Sequence, residues 1–312
     1  LKKQGENTVK AGENQGLYFR FNVPVDCKPD VYTGTAAVTI GGQSRTIPVR
    51  IRVTEAVVSP ETHSKSIFLT TWSHHLGELD STDAMLDKYI EALFEYRLSP
   101  NDIIRDSDSS DEDIDYWVEK AYRFMQNPKC TNISVPYLQV SKYNEAADEY
   151  MYIADPVQFE RYVTAMADKS FATGYNMLKK AVCYFATFLD EPTPDYAPNV
   201  IFALDAYYAM LNDIADKIAA QDTPNATGMD DTKFAKFKSE VVQSIRDIRN
   251  VLTASYDEAL DGHVQTFCPQ VQCYNTEKER AVYGEQAERW WYTCIYPRAP
   301  YPTYHTEDTL LS

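Results

Sequence analysis

Glycine is scarce in this chain, with 11 glycines among 312 residues, and the short motifs that depend on glycine are missing. The sequence contains neither the GxGxxG fingerprint of dinucleotide-binding folds nor the P-loop of nucleotide hydrolases. The HExxH motif of zinc proteases and the GxSxG motif of serine hydrolases are also absent. These absences argue against four common classes of enzyme.

Metal-binding patterns are lacking as well. The six cysteines, at positions 27, 130, 183, 268, 273 and 294, form no CxxC pair at zinc-site spacing. His74 and His75 have no third ligand at a fixed spacing. The acidic stretch 106–113 lacks the glycine of an EF-hand loop, so we interpret it as a solvated loop whose acids favour the next helix N-terminus, in preference to a metal-binding loop. We therefore predict no metal site and no cofactor.

Positive charge and long apolar runs are both in short supply. The chain has 30 Lys and Arg against 46 Asp and Glu, a net charge of −16, so its surface repels phosphate backbones and nucleic-acid binding is not expected. No apolar run approaches the ~20 residues that cross a bilayer, so membrane insertion is not expected. The chain opens with Leu1-Lys2-Lys3, without an initiator Met or a signal-peptide core, and we expect a piece of a longer protein.

The N-terminal part of the chain has the alternation of apolar and polar residues that is typical of β-strands. Residues 17–23, 32–40 and 47–53 each alternate in this way, which predicts three half-buried strands. Gly41-Gly42 predicts a tight hairpin turn between the second and the third. We expect residues 1–60 to form the last part of an antiparallel β-sandwich and a linker, with earlier strands of the sandwich missing.

Residues 61–312 alternate between predicted strands and amphipathic helices, which is typical of an α/β fold with parallel strands. We predict about seven short strands, at 67–71, near Leu98, and at 133–140, 181–189, 250–255, 265–269 and 290–294. The main helices are predicted around 86–94, 116–124, 157–169, 200–220, 234–245 and 276–287. The best match is a (β/α)8 TIM-like barrel whose fourth strand ends at Leu189, and whose last strand can lie beyond Ser312.

Polar and aromatic residues lie in or after several predicted strands. They are Trp72, His74 and His75 for the first, Tyr137 for the third, Asp190 and Glu191 for the fourth, Tyr256 for the fifth, and Trp291 and Tyr292 for the last. Because the carboxyl ends of barrel strands meet on one face, these side chains are expected to share a pocket. Aromatic walls beside carboxylates suit a carbohydrate, whose C–H faces stack on rings. Each residue also has a structural alternative, as a core side chain or as a merely exposed one.

Asp190 and Glu191 end the apolar run Ala181–Leu189, and Pro192 stops its continuation. By itself the pair is equally consistent with acids that cap a turn and with an active site. Two carboxylates that act from opposite sides of a sugar normally come from two strands, since about 5–9 Å must separate them. Adjacent carboxylates suit another mechanism: one donates a proton to the leaving group, and the other supports a nucleophile that belongs to the substrate, such as a 2-acetamido oxygen.

Four segments resemble one known family. Thr187–Pro192, with its Asp-Glu-Pro, resembles the motif of glycoside hydrolase family 123 and of the related domain-of-unknown-function family 4091. Glu288–Cys294, which contains Trp-Trp-Tyr-Thr-Cys, resembles the same family, and so do Phe267–Gln270 and Val31–Thr35. Phe267 stands where the family leads us to expect a tryptophan.

This resemblance implies a β-sandwich followed by a (β/α)8 barrel, and retaining β-N-acetylgalactosaminidase activity by substrate-assisted catalysis. It implies that Glu191 is the general acid/base. It also implies that Asp190 orients the acetamido group and stabilises an oxazolinium-like intermediate.

We therefore predict a glycosidase that removes terminal β-linked N-acetylhexosamine, with N-acetylgalactosamine as the favoured sugar and a glycan or glycoconjugate as the partner. Its predicted catalytic residues are Glu191 and Asp190, and its predicted substrate-binding residues are Trp72, His74, Tyr137, Tyr256, Trp291 and Tyr292. The alternative is a non-catalytic carbohydrate-binding barrel. A secreted, cell-surface or periplasmic location is favoured over a cytoplasmic one.

Overall fold

The structure, a computed structural model, describes residues 12, 14, 16, 17, 19–57, 64–66, 83–100, 103, 104, 110–184, 189–273, 276–284 and 289–292. The chain divides into two units, Leu1–Ser59 and Pro60–Ser312. None of the helices in this described part of the chain combines the length and the apolar character that crossing a bilayer requires.

The first unit contains an antiparallel hairpin of β1 (Asp30–Ile40) and β2 (Gln43–Val53). The register runs from Asp30 opposite Val53 to Ile40 opposite Gln43. Both turn residues have positive φ, 56° at Gly41 and 78° at Gly42, as a two-residue type I′ turn requires. The predicted hairpin is confirmed.

The predicted strand at residues 17–23 is wrong for the residues that the structure describes there, which are coil. Leu17 is 52% exposed and Phe21 51%, so the supposed inner face buries little. Alternation predicts a strand only where a neighbouring strand bonds the backbone and covers the apolar face. Within the described residues of this unit, the sheet consists of β1 and β2, and a sandwich is not shown.

The second unit alternates strands and helices over most of its described length. Its strands are β3 (Ser64–Ser66), β4 (Leu98–Pro100), β5 (Ile133–Ser134), β6 (Gln139–Asn144), β7 (Glu149–Ala154), β8 (Ala181–Tyr184), β9 (Arg249–Leu252) and β10 (Thr266–Phe267). Its α-helices are α1 (Asp83–Glu95), α2 (Asp111–Met125), α3 (Pro156–Thr173), α4 (Ala197–Ala220), α5 (Asp231–Arg246) and α6 (Thr276–Tyr283).

Four of these strands form one parallel sheet, in the order β10-β9-β8-β5. Strands β3 and β4 form a separate parallel pair, and β6 and β7 form an antiparallel hairpin. The predicted mixed α/β fold with parallel strands is confirmed. A complete (β/α)8 barrel is not shown by the described residues, and they do not exclude one.

Helices α3, α4 and α5 supply much of the core. The amphipathic helix predicted around 157–169 is α3, and its apolar residues Phe159, Tyr162, Val163 and Met166 have no exposed surface. Tyr207 of α4 is equally deep, and its hydroxyl donates to the carbonyl oxygen of Ile248 at 2.8 Å. A buried phenol needs such a partner, because an unsatisfied hydroxyl in the core is costly.

The acidic stretch before α2 contributes to the start of that helix. The hydroxyl of Ser110 accepts a hydrogen bond from the Asp113 N–H at 3.2 Å and caps the helix. Asp111, Glu112 and Asp113 lie in the first turn, where negative charge is favourable. The predicted effect of these acids on the helix N-terminus is confirmed for residues 110–113.

The sequence pattern predicts one strand at 133–140, whereas the structure has the short β5 and then the β6–β7 hairpin. Pro136 follows the end of β5 and has no N–H to continue a ladder. In β7, Met151 and Ile153 are buried while Tyr150 and Tyr152 are exposed. The turn at 145–148 contains no glycine, with Asp148 at φ 54°, so the usual hairpin signal is absent.

Candidate functional site

The carboxyl edge of the parallel sheet holds the adjacent acids. Strand β8 lies between β5 and β9 in this sheet. Residues 185–188, which follow it, lie outside the described part of the chain. Leu189 is buried, and Asp190 and Glu191 are exposed directly after it. The Glu191 N–H donates to the carbonyl oxygen of Thr253 at 3.1 Å, and Thr253 directly follows β9. The acids therefore lie beside the carboxyl end of β9.

The backbone at Glu191 has an unusual conformation. Its φ is +46°, in the left-handed region that side chains other than glycine seldom occupy. Such a conformation costs about 1–3 kcal/mol and persists where surrounding contacts enforce it. Here the hydrogen bond to Thr253 and the rigid Pro192 restrict the segment. Backbone strain of this kind clusters at functional sites, although it also occurs in turns, as at Asp148.

The carboxylate of Glu191 is oriented by two donors from distant segments. Its Oε1 accepts a hydrogen bond from Gln270 Nε2 at 2.8 Å and another from the Tyr292 hydroxyl. Gln270 and Tyr292 form a parallel β-bridge, in which the Tyr292 N–H donates to the Pro269 oxygen at 3.0 Å and the Val271 N–H to the Tyr292 oxygen at 2.9 Å. Both donors are therefore positioned by backbone pairing next to β10.

Asp190 is held through Thr253. The Thr253 hydroxyl donates to Asp190 Oδ1 at 2.7 Å and lies 3.4 Å from the Glu191 nitrogen. Thr253 is 2% exposed, so this hydroxyl is a fixed donor. One buried side chain thus contacts both acidic residues.

Glu191 lines a cavity of about 660 Å³. Its described lining comes from segments that follow the strands and from helices α4 and α6: residues 191–194, Ala197, Val200, residues 253–258, Leu260, Pro269, Gln270, Cys273, Lys278 and Tyr292. This volume is in the range of cavities that hold one or two sugar rings or another small molecule.

Tyr256 forms one wall of this cavity. Its ring packs edge-on against Phe267, with 5.6 Å between ring centroids and an interplanar angle of 71°. Its hydroxyl donates to Asp261 Oδ2 at 3.0 Å. Burial, the hydrogen bond to Asp261 and the nearby carboxylates raise the pKa of Tyr256 to about 12. The phenol is therefore protonated at neutral pH, and its ring is held in place.

An aromatic layer lies below the acids. The Tyr137 hydroxyl donates to the carbonyl oxygen of Tyr184, the last residue of β8, at 3.1 Å. Burial is the main cause that raises the pKa of the Tyr184 phenol, and Cys268, Asp190 and other nearby groups add to it. Trp290 packs with Tyr184 on the apolar cluster around Cys268. These rings pack around the carboxyl end of β8.

The predicted site residues thus fall into five groups. Glu191, Tyr256 and Tyr292 line one cavity, and Asp190 lies beside it through Thr253 without lining it. Tyr137 is 9% exposed and packs below the site. Trp291 is 39% exposed and is not part of the described lining. Trp72 and His74 lie outside the described residues.

Thr253 and Gln270 contact the acids, although neither is among the site residues predicted from the sequence. Thr253 follows β9 and Gln270 follows β10. Tyr256 is predicted as a site residue because it follows a strand. Thr253 and Gln270 also follow strands, so the same criterion could have identified them. Neither residue is aromatic or ionisable, and so neither was singled out.

Within the described ranges, no three His, Cys, Asp or Glu side chains are grouped closely enough to hold a metal ion.

In comparisons with known proteins, no family model matches this chain. No curated protein matches it significantly either. The resemblance to glycoside hydrolase family 123 therefore remains a prediction from short segments.

Proposed function

We propose that this chain is a glycoside hydrolase that cleaves terminal β-linked N-acetylhexosamine, with N-acetylgalactosamine as the favoured sugar. One observation supports this function most. The Glu191 carboxylate stands at the carboxyl edge of a parallel sheet, faces a cavity walled by Tyr256, and is oriented by Gln270 and Tyr292. A fixed carboxylate beside an aromatic wall suits proton transfer to a sugar whose C–H face rests on the ring.

In the proposed reaction, Glu191 donates its proton to the glycosidic oxygen as the bond from that oxygen to the anomeric carbon breaks. The acetamido oxygen of the substrate attacks the anomeric carbon and forms an oxazolinium-like intermediate. Water then attacks the same carbon, opens the ring of the intermediate and returns a proton to Glu191. Since Oε1 accepts the bonds from Gln270 and Tyr292, Oε2 is the oxygen that carries the transferred proton.

Asp190 has the second role in this proposal. Its carboxylate would accept a hydrogen bond from the acetamido N–H and stabilise the positive charge of the intermediate. The Thr253 hydroxyl, which donates to Oδ1, would hold this carboxylate in one orientation. Thr253 is therefore a positioning residue in the proposed mechanism.

We also propose that the parallel strands belong to a (β/α)8 barrel. Support comes from the strand order β10-β9-β8-β5 of the sheet. Apart from the β6–β7 hairpin, which lies outside this sheet, strands that follow one another along the chain are neighbours in space. The parallel bridge between Gln270 and Tyr292 continues the same series beyond β10. The pair β3 and β4, which precedes these strands along the chain, is also parallel.

The direct test is hydrolysis of 4-nitrophenyl β-N-acetylgalactosaminide and β-N-acetylglucosaminide by the chain. We expect release of nitrophenol, and competitive inhibition by a thiazoline that mimics the oxazolinium ion. Hydrolysis without inhibition by the thiazoline would contradict the substrate-assisted route. No hydrolysis of any aryl N-acetylhexosaminide would contradict the proposed enzyme.

Replacing Thr253 tests the role of Asp190. Thr253→Val keeps the size of the side chain but removes the donor to Asp190, and we expect kcat to fall about tenfold to hundredfold because the reacting groups lose alignment. KM should change little, and Thr253→Ser, which retains a hydroxyl, should restore most of kcat. Wild-type kcat in Thr253→Val, at an unchanged melting temperature, would show that this hydrogen bond does not position Asp190.

A non-catalytic carbohydrate-binding site is the second candidate function. It is favoured by one observation, that Glu191 lines the cavity while Asp190 does not. It predicts that sugar binding persists when Glu191 is replaced by Gln and that aryl glycosides are not hydrolysed.

A further inference from the structure

The cavity carries an uneven set of charges. Among its described lining residues, Glu191, Asp257 and Glu258 bear carboxylates, and Lys278 of α6 bears the ammonium group. A further carboxylate, that of Asp261, is bonded to the Tyr256 hydroxyl at the wall. Lys278 also has contacts with other parts of the chain. Negative charge therefore predominates in the described lining.

Asp257 and Glu258 lie in the segment that connects β9 and β10, and hydrogen bonds order this segment. Asp257 Oδ1 accepts a hydrogen bond from the Ala259 N–H at 3.0 Å and caps the short 3-10 turn Glu258–Leu260. Tyr256, which precedes it, is anchored by Asp261 and Phe267. Asp257 is therefore held at the cavity by its own cap.

These carboxylates contribute to the raised pKa of Tyr256. Burial is the largest cause of its raised pKa, and the charges of Asp261, Glu258 and Asp257 add to it, because a negative phenolate is disfavoured near them. An anionic group on a ligand in the same cavity would meet the same repulsion. A carboxylate about 7–10 Å from a ligand charge, with partial solvent screening, would change the affinity for that ligand by roughly three- to tenfold.

We propose that Asp257 and Glu258 make the cavity selective for uncharged N-acetylhexosaminides over those that carry sulfate, phosphate or carboxylate groups. This inference rests on the proposed function, since it takes the cavity to be the sugar site. The substrate class is then the neutral, hydroxyl-rich end of a glycan, whose hydroxyls can donate to the two carboxylates. Sulfated or uronic-acid-bearing glycans are poor substrates.

The test compares 4-nitrophenyl N-acetyl-β-hexosaminide with its 6-sulfated form at low ionic strength. We expect kcat/KM to be at least about tenfold lower for the sulfated substrate than for the neutral one. Added salt should reduce this difference, because it screens the charges. Glu258→Gln and Asp257→Asn should each reduce the preference for the neutral substrate, measured as the ratio of the two kcat/KM values, by roughly three- to tenfold. Asn at position 257 can still cap the turn, so the fold is preserved. Asp222→Asn, an exposed acid outside the cavity, is the matched control and should leave the ratio unchanged.

A binding measurement separates this inference from the proposed function. Titration calorimetry with N-acetylgalactosamine and with its 6-sulfate requires no hydrolysis. Preference for the neutral sugar in a protein that hydrolyses nothing would support the inference while contradicting the proposed enzyme. Equal affinity or equal hydrolysis of the two forms would overturn the inference and leave the proposed function intact. Binding of neither sugar would overturn the inference as well.

Discussion

Replacing Glu191 with Gln should lower kcat for an aryl N-acetylhexosaminide by about 10²–10⁴-fold, because the amide cannot donate a proton to the leaving oxygen. Gln has the same shape and retains an oxygen that can accept from Gln270 and Tyr292. The melting temperature should therefore stay within about 2 °C of wild type, which corresponds to less than roughly 1 kcal/mol in a domain of this size.

The choice of leaving group makes this experiment specific for proton donation. A dinitrophenyl glycoside needs little help from an acid, so Glu191→Gln should retain far more activity on it than on the 4-nitrophenyl or a natural glycoside. Glu145→Gln, the same change at an exposed position in the β6–β7 turn, is the control and should have wild-type rates on all three. Turnover by Glu191→Gln at the wild-type rate would rule out the assigned role.

Replacing Asp87 with Asn should destabilise the second unit by about 2–4 kcal/mol at neutral pH, because it leaves a buried ammonium group without its carboxylate. Lys120 of α2 lies 2.7 Å from Asp87 Oδ1 of α1, and its side chain is 5% exposed. Arg123 contacts the other carboxylate oxygen. The effect is measured as the free energy of unfolding in urea.

The loss of stability caused by Asp87→Asn should be smaller at low pH than at neutral pH. Partial burial by itself raises the pKa of Asp87, but the hydrogen bonds and charges of Lys120 and Arg123 outweigh it, so the pKa lies below its ordinary value. A carboxyl with a lowered pKa in the folded state stabilises above its unfolded pKa of about 4, and this contribution is lost as the pH falls through the folded pKa. The stabilities of wild type and Asp87→Asn should therefore converge as the pH falls below about 4.

A surface ion pair and a double variant serve as controls for Asp87. Asp213 and Lys217 form an ion pair on α4 whose side chains are 64% and 51% exposed, so Asp213→Asn should cost less than about 1 kcal/mol. Adding Lys120→Met to Asp87→Asn should recover part of the loss, because the unpaired charge is removed. An equal cost of Asp87→Asn at pH 7 and pH 3 would contradict the ion-pair explanation.

Local patterns were sufficient where one element carries its own signal. The apolar periodicity of α3 and α4 predicted their buried faces, since helical spacing alone decides which side chains share a face. Gly41-Gly42 predicted the β1–β2 turn, because only a turn with two positive φ angles suits that hairpin. These features depend on residues that are close in the chain.

Local patterns failed where a partner was required. The alternation at 17–23 has the period of a strand, but the described residues there have no neighbouring strand. The β6–β7 hairpin has alternating burial and β7 contacts α4, but its turn lacks glycine, so the usual short-range signal of a hairpin is absent from the sequence. Pairing is decided by the whole fold, and a short window of sequence does not contain it.

The sequence by itself determined strand β8 and ended the same apolar run in Asp190, Glu191 and a proline, because continuous apolar residues are typical of a strand that is buried on both faces. Only the tertiary structure decided which side chains form hydrogen bonds with these two acids. Gln270 and Tyr292 are 79 and 101 residues from Glu191 along the chain, and strand pairing beside β10 brings both to the same carboxylate oxygen. The physical reason is that a buried strand is encoded by local hydrophobicity, whereas the orientation of a side chain is set by donors that folding brings from distant segments.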